Sequence, residues 1–147
     1  FKCYMADTGL LVSQAFADRE TTPDDVYRDI LFDKLSLNEG MLVENAVAQQ
    51  FRANGRKLYF FSRLDRADAS KTMEIDFLIV REYDNAAMKP RISPIEGKST
   101  KRYGVSSLDK FRKRYAQRLG KEYVLHPRQL EVDGERIKLP LYMAHCL

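Results

Sequence analysis

The segment from Met73 to Val80 (Met-Glu-Ile-Asp-Phe-Leu-Ile-Val) constrains this chain most. Its alternation predicts a β-strand with Ile75, Phe77 and Ile79 on one face and Glu74 and Asp76 on the other. Such a strand buries its apolar face and keeps two carboxylates on the opposite one. A further strand is predicted at Ile92 to Lys98, with Glu96 and Lys98 projecting together. Pro94 inside it lacks a backbone donor, which predicts an edge position or a bulge. Leu58 to Phe61 reads as an earlier strand, and the loop from Arg81 to Pro90 is polar.

Helices flank these strands. Ser36-Leu37-Asn38-Glu39 fits a capping box, Val43, Ala46, Val47 and Phe51 then recur on one face, and Asn54-Gly55 supplies the stop. On a helical wheel Glu44 lies about 100° from Val43 and about 20° from Phe51, at the edge of the buried face. A carboxylate there can be aimed into a cleft. Residues 1–16 predict a short strand, a turn at Asp7–Gly9 and a short helix. Beyond Pro23, Tyr27, Ile30, Leu31 and Leu35 recur at helical spacing. After the strands, Ser106 or Ser107 caps a helix with the stripe Leu108, Phe111, Tyr115 and Leu119, ended by Gly120. Glu122 to Leu125 reads as a strand and Asp133-Gly134 as a hairpin turn. Pro140 either opens a final short helix or marks an edge strand. Helix, strands, helix, strands is the order of an α/β sandwich.

At 147 residues the chain is predicted to form one domain, 1–147, with 1–35 packed on its core. Gly and Pro, 7 and 5, together make only 12 of 147 residues and no stretch is low-complexity, which argues against disorder and fibres, and no apolar run approaches the ~18 residues of a membrane span. Cys3 and Cys146 cannot form a disulfide framework, so a reducing, cytoplasmic setting is expected. The chain opens Phe-Lys-Cys-Tyr-Met, without an initiator Met, which predicts a domain cut from a longer polypeptide.

The net charge of +4 says little, but its distribution says more. Between Lys98 and Lys121 stand nine basic residues and one acid, Asp109. Lys101, Arg102, Lys110, Arg112, Lys113 and Arg114 are the candidates within it for nucleic-acid contact. The plain alternative is a solvated basic helix face.

Gly97-Lys98-Ser99-Thr100 imitates the end of a phosphate-binding loop, but the motif requires glycine where this chain has Ile92. No bound nucleotide is expected. The sharper constellation is Asp76 with Glu96 and Lys98, and Glu44 upstream. On neighbouring strands Asp76 and Glu96 can approach to ~5 Å between Cβ atoms. Two carboxylates so close call for a cation, and Mg²⁺ or Mn²⁺ suits oxygen ligands. Glu44, Asp76 and Glu96 are the expected metal ligands. Lys98 would orient or help deprotonate a water, or neutralise developing charge. Spacing alone leaves a merely solvated acidic face open. His126 and His145 lack partners at zinc spacing. Tyr103 reads as a packed loop aromatic, with base stacking as its alternative.

At these residues the chain resembles a known family. Glu-Ile-Asp76-Phe-Leu followed by Pro94-Ile95-Glu96-Gly97-Lys98-Ser99 is similar to the PD-(D/E)XK, restriction-endonuclease-like superfamily. Tyr4 with Asp7-Thr8-Gly9-Leu10-Leu11, then Gly40-Met41-Leu42-Val43-Glu44-Asn45, Leu58-Tyr59-Phe60 and Leu139-Pro140-Leu141-Tyr142-Met143-Ala144 follow in one order. That order resembles a domain of unknown function at the C-terminus of prokaryotic AAA-type ATPases. The resemblance spans about residues 1 to 144. It implies a restriction-endonuclease-like α/β fold with a central mixed sheet flanked by helices. It puts Glu44, Asp76, Glu96 and Lys98 in nuclease-type positions, and implies an ATPase portion of the same longer chain as partner. Two departures stand out: Gly97, where the family commonly has a β-branched residue, and a longer, more charged loop at Ser62 to Lys71.

Three functions follow as expectations. One is Mg²⁺-dependent hydrolysis of DNA, another non-catalytic nucleic-acid binding through the basic segment, and the third a protein-interaction domain controlling the ATPase.

Overall fold

The structure is a computed structural model describing residues 2–16, 24, 38–81 and 90–147. The predicted helix around Tyr27 to Leu35, with Ser36 and Leu37, and most of the loop after Arg81 lie outside these residues. Helix α1 (Thr8–Phe16) is followed by α2 (Glu39–Ala53), strands β1 (Phe61–Arg63), β2 (Met73–Ile75), β3 (Phe77–Arg81) and β4 (Arg91–Gly97), and helix α3 (Ser106–Tyr115). Strands β5 (Glu122–His126), β6 (Glu131–Asp133) and β7 (Arg136–Pro140) and a 3₁₀ segment at Leu141–Cys146 complete the described chain. The fold is α/β: a five-stranded mixed sheet in the order β3-β4-β5-β7-β6, with α2 and α3 against it and β1-β2 as a separate antiparallel pair. β3-β4 and β6-β7 run antiparallel, while β4-β5 and β5-β7 run parallel.

The helices cover opposite faces. Val47, Ala48 and Phe51 of α2 join Phe77, Ile79, Ile95, Tyr123 and Leu125 in one core. Phe51 meets Phe77 edge-on with centroids 5.3 Å apart, a pairing that adds about 0.5–1.5 kcal/mol beyond burial. Leu108 and Phe111 of α3 join Met73, Ile75, Leu119 and Val124 in the second core. The hairpin expected at Asp133-Gly134 is present with its two-residue loop one position later, at Gly134-Glu135, with Asp133 paired to Arg136 and Gly134 at φ 57°, and Pro140 opens the final 3₁₀ segment.

Several expectations are corrected. The strand predicted at Met73 to Val80 is two strands, because the chain bends at Asp76. Ile75 pairs with Phe61 while Phe77 pairs with Ile95 in the other sheet. Ile75 therefore serves the α3-side core and Phe77 and Ile79 the α2-side core, not one shared face. The strand expected at Leu58 begins only at Phe61, although Leu78 N–H donates to Tyr59 O at 2.8 Å. Residues 2–6 join no strand. The cap of α2 is Asn38, whose side chain accepts from Met41 N–H, so Glu39 opens the helix instead of closing a capping box. Ser106 and Ser107 lie inside α3, behind Val105. Pro94 is in an interior strand, where pairing lapses between the bridge Ile92↔Leu119 and the ladder starting at Ile95↔Tyr123. β4 pairs residue for residue with β3 through Pro94, so neither an edge position nor a bulge in β4 is realised; the missing donor falls where β4 has no ladder partner on the β5 side.

Candidate functional site

Asp76 stands at the bend where the chain leaves β2 for β3, and both its oxygens are engaged. Oδ2 accepts the Gly97 N–H at 3.0 Å, tying the bend to the end of β4. Oδ1 accepts from Lys2 Nζ at 3.0 Å. Lys2 Nζ also lies 3.1 Å from Glu44 Oε2 and 2.9 Å from Glu74 Oε1. One ammonium, its side chain 14% exposed, is thus ringed by three carboxylates from α2, β2 and the bend. Tyr4 Oη donates to Glu44 Oε2 at 3.3 Å, while its ring stacks on Phe77.

Glu44 reaches this point because α2 crosses close over β4. A Cβ at Gly97 would stand 3.3 Å from Val43 Cγ1, so the β-branched residue common in the resembling family would crowd the helix that delivers Glu44. Burial, reinforced by the Asp76 charge, pushes the Glu44 carboxyl above its ordinary range against the pull of Lys2. Burial also opposes charge on Lys2, but its carboxylate partners outweigh it and hold the ammonium well above the usual lysine range.

Glu96, 3% exposed, turns to the α3 side by strand alternation, since Ile95 serves the α2-side core. Its Oε2 lies 2.9 Å from Lys98 Nζ in an ion pair, yet that buried oxygen receives no hydrogen bond of good geometry. Burial pushes the Glu96 carboxyl up, and Lys98 pulls it partly back. Lys98 follows β4 directly, its N–H donating to Leu125 O at 2.8 Å. The structure therefore joins Glu44 to Asp76 through Lys2, Asp76 to the Glu96 strand through Gly97 N–H, and Glu96 to Lys98. Among the described residues, no three His, Cys, Asp or Glu side chains form a ready-made metal cage. The carboxylates surround an ammonium at about 3 Å, whereas Mg²⁺ draws oxygens to about 2.0–2.1 Å.

The N-terminal segment is held by Asn45, a buried amide on α2. Its Oδ1 accepts from Met5 N–H at 2.7 Å, and its Nδ2 donates to Met5 O and Thr8 Oγ1. Lys2, Tyr4 and Asn45 are the site residues that sequence reasoning missed. Asn45 left a signal, an amide flanked by Val43 and Val47; Lys2 left none, since its partners are 42 and 74 residues away. Beside the site, a cleft of about 790 Å³ runs from Lys2 and Asp76 past Tyr59, Phe60 and Arg52. Tyr59 and Phe60 are 51% and 39% exposed.

The basic candidates divide. Lys101 and Arg102 are exposed in the bends after β4, at the Lys98 end. Lys110 donates to Thr72 O at 2.9 Å, bracing the loop between β1 and β2 from the α3 side. In that loop the Asp65 and Asp68 side chains accept neighbouring backbone N–H groups. Arg112 is bound to the buried Glu122. Lys113 and Arg114 are exposed and line a groove with Tyr115 and Arg118. That groove belongs to the other end of β4, because Gly120 N–H bonds Ile92 O there. Ile92 and Lys98 are separated by about 20 Å of strand. His126 is buried, its ring nitrogens facing Tyr103 Oη at 2.7 Å and Gln129 O at 3.1 Å, so Tyr103 is a packed loop aromatic.

Fold and site together define an α/β domain whose sheet, bend and helix gather carboxylates and lysines at one end of a central strand. The family model described as Domain of unknown function (DUF4143) matches residues 39–143, and the chain belongs to that family. No curated protein and no solved structure matches the chain. The matched span includes Glu44, Asp76, Glu96 and Lys98; Lys2 precedes it. Among the described residues, no helix is long and apolar enough to cross a membrane.

Proposed function

We propose that this is a restriction-endonuclease-like, PD-(D/E)XK-type domain that hydrolyses phosphodiester bonds of DNA with Mg²⁺ or Mn²⁺. The observation that carries the reading is the convergence on Asp76: Glu44 shares Lys2 with it, and the Gly97 N–H ties it to the Glu96–Lys98 strand. An all-oxygen donor set and an ammonium held among three acids fit a divalent cation in kind. Asp76 and Glu96, with Glu44 completing the shell, would hold the ion. Bound there, it supplies Lewis-acid polarisation of a phosphoryl oxygen and a more acidic water. Lys98 holds its ammonium beside Glu96, where it can orient the attacking water or neutralise developing charge. Lys101 and Arg102, exposed at the same end, are the nearest candidates for the DNA backbone. By the resemblance, the partner is the ATPase portion of a longer chain, in the cytoplasm.

Plasmid cleavage with Mg²⁺ or Mn²⁺ tests this. The native protein should nick or linearise the substrate, and Asp76→Ala should fall to background. Equal cleavage by both would expose a contaminant, and cleavage by neither would reject the nuclease reading.

A second reading has its own observation. The groove of Lys113, Arg114 and Arg118 is remote along β4 from the carboxylates and suits non-catalytic binding of a polyanion. Such binding would weaken steeply with salt and ignore Asp76→Ala. Control of the ATPase by protein contact is separated by a pull-down with that portion.

A further inference from the structure

Lys2 is used by none of the chemistry above, yet it is the most heavily paired cation among the described residues. Its ammonium contacts oxygens of Glu44, Asp76 and Glu74 at 2.9–3.1 Å. We infer that Lys2 is a built-in cation of this site: its ammonium and a divalent ion compete for the carboxylates of Glu44 and Asp76. The inference rests on the metal-binding reading of the site.

The charge supports it. Three acids, Glu44, Glu74 and Asp76, face one lysine, Lys2, while Glu96 and Lys98 pair with each other. The cluster keeps a formal charge of −2 with Lys2 in place, so it is not closed to a stronger cation. Geometry supports it too. Drawing Glu44 and Asp76 oxygens in from about 3 Å to about 2 Å around a metal leaves no room for an ammonium between them. The attachment of Lys2 permits the exchange. The segment is tied to Asn45 at Met5 and Thr8, and Lys2 lies beyond that anchor on a flexible four-carbon stem. Arginine, with a rigid planar fork, would not withdraw so readily.

Mn²⁺ titration of the protein, with free Mn²⁺ read by electron paramagnetic resonance, tests competition without reference to cleavage. If the ammonium occupies the site in most molecules, Lys2→Met should tighten Mn²⁺ binding by about tenfold or more. Lys2→Arg should bind no tighter than the native protein. Because Lys2→Met leaves three acids facing one another, Glu74→Gln and the double variant Lys2→Met/Glu74→Gln are compared as well; the same gain is expected. Equal or weaker binding without Lys2 would overturn the competition while leaving the metal site standing. Absence of Mn²⁺ binding from every variant would overturn both.

Discussion

Two carboxylate clusters, one around buried Glu122 and one beside buried Glu96, occupy neighbouring stretches of the sheet and are neutralised differently. Glu122, 0% exposed at the start of β5, is gripped by Arg112 at 2.6 Å and Arg136 at 2.9 Å, and Arg136 also holds Asp109 at 2.6 Å. Two acids meet two guanidiniums, and rigid planar forks fix the geometry. The Asp76 cluster has three acids, Glu44, Glu74 and Asp76, against the single ammonium of Lys2, while neighbouring Glu96 pairs with Lys98. The closed cluster reads as structure. The open one keeps surplus negative charge on flexible partners at the edge of a cleft, which a structural role does not require.

The largest contrast should appear on removing one carboxylate from each. Glu122→Gln removes the buried charge on which two guanidiniums meet and should cost about 1.5–3 kcal/mol in denaturant unfolding, the range for hydrogen bonds to a charged group, because Arg112 is 40% exposed and Arg136 keeps Asp109. Asp76→Ala, which also relieves repulsion, should cost clearly less while abolishing cleavage. If Asp76→Ala destabilises as much as Glu122→Gln, the two clusters are alike and the contrast is lost.

Asn45→Ala should come next. It leaves the Met5 backbone groups without their partner, a loss of about 1–3 kcal/mol. Amide hydrogen exchange at Met5 should rise, while exchange near Glu122 stays unchanged. Gly97→Val should cost about 1–3 kcal/mol by overpacking against Val43. Because the same contact sets the approach of Glu44, this variant should also weaken metal binding. Unchanged stability would mean that α2 has slack over β4.

The smallest effect is a pH dependence. Glu44 and Glu96 are both held above 4.5, so above that pH the folded protein binds more protons than the unfolded chain. Measured with a chelator present, their contribution should decline as pH rises from 4.5 through the raised values. Glu96→Gln should flatten that slope; an unchanged slope would place its origin elsewhere.

Much of the fold was legible because periodicity reports local burial. The alternation of Met73 to Val80 marked two strands' worth of residues, and the stripe of α2 marked the face that packs on Phe77. The bend at Asp76 was hidden, because it comes from sheet pairing: Phe61 competes for Ile75 while Ile95 takes Phe77. Asp76, Glu96 and Lys98 could be proposed from spacing on strands, and Glu44 from its place on the helix wheel. Lys2 could not, since nothing near it in sequence records carboxylates far along the chain. The basic run misled for the same reason. Contiguity suggested one surface, but the crossover of α3 carries Lys113 and Arg114 to the far end of β4, and Arg112 is spent on Glu122.

The most direct test of the site is an anomalous-difference map from crystals equilibrated with Mn²⁺. A peak coordinated by Asp76 and Glu96, with Glu44 drawn in and the Lys2 ammonium displaced, is the result expected. A map with no peak at these carboxylates, and Lys2 still seated among Glu44, Glu74 and Asp76 at saturating Mn²⁺, would contradict it.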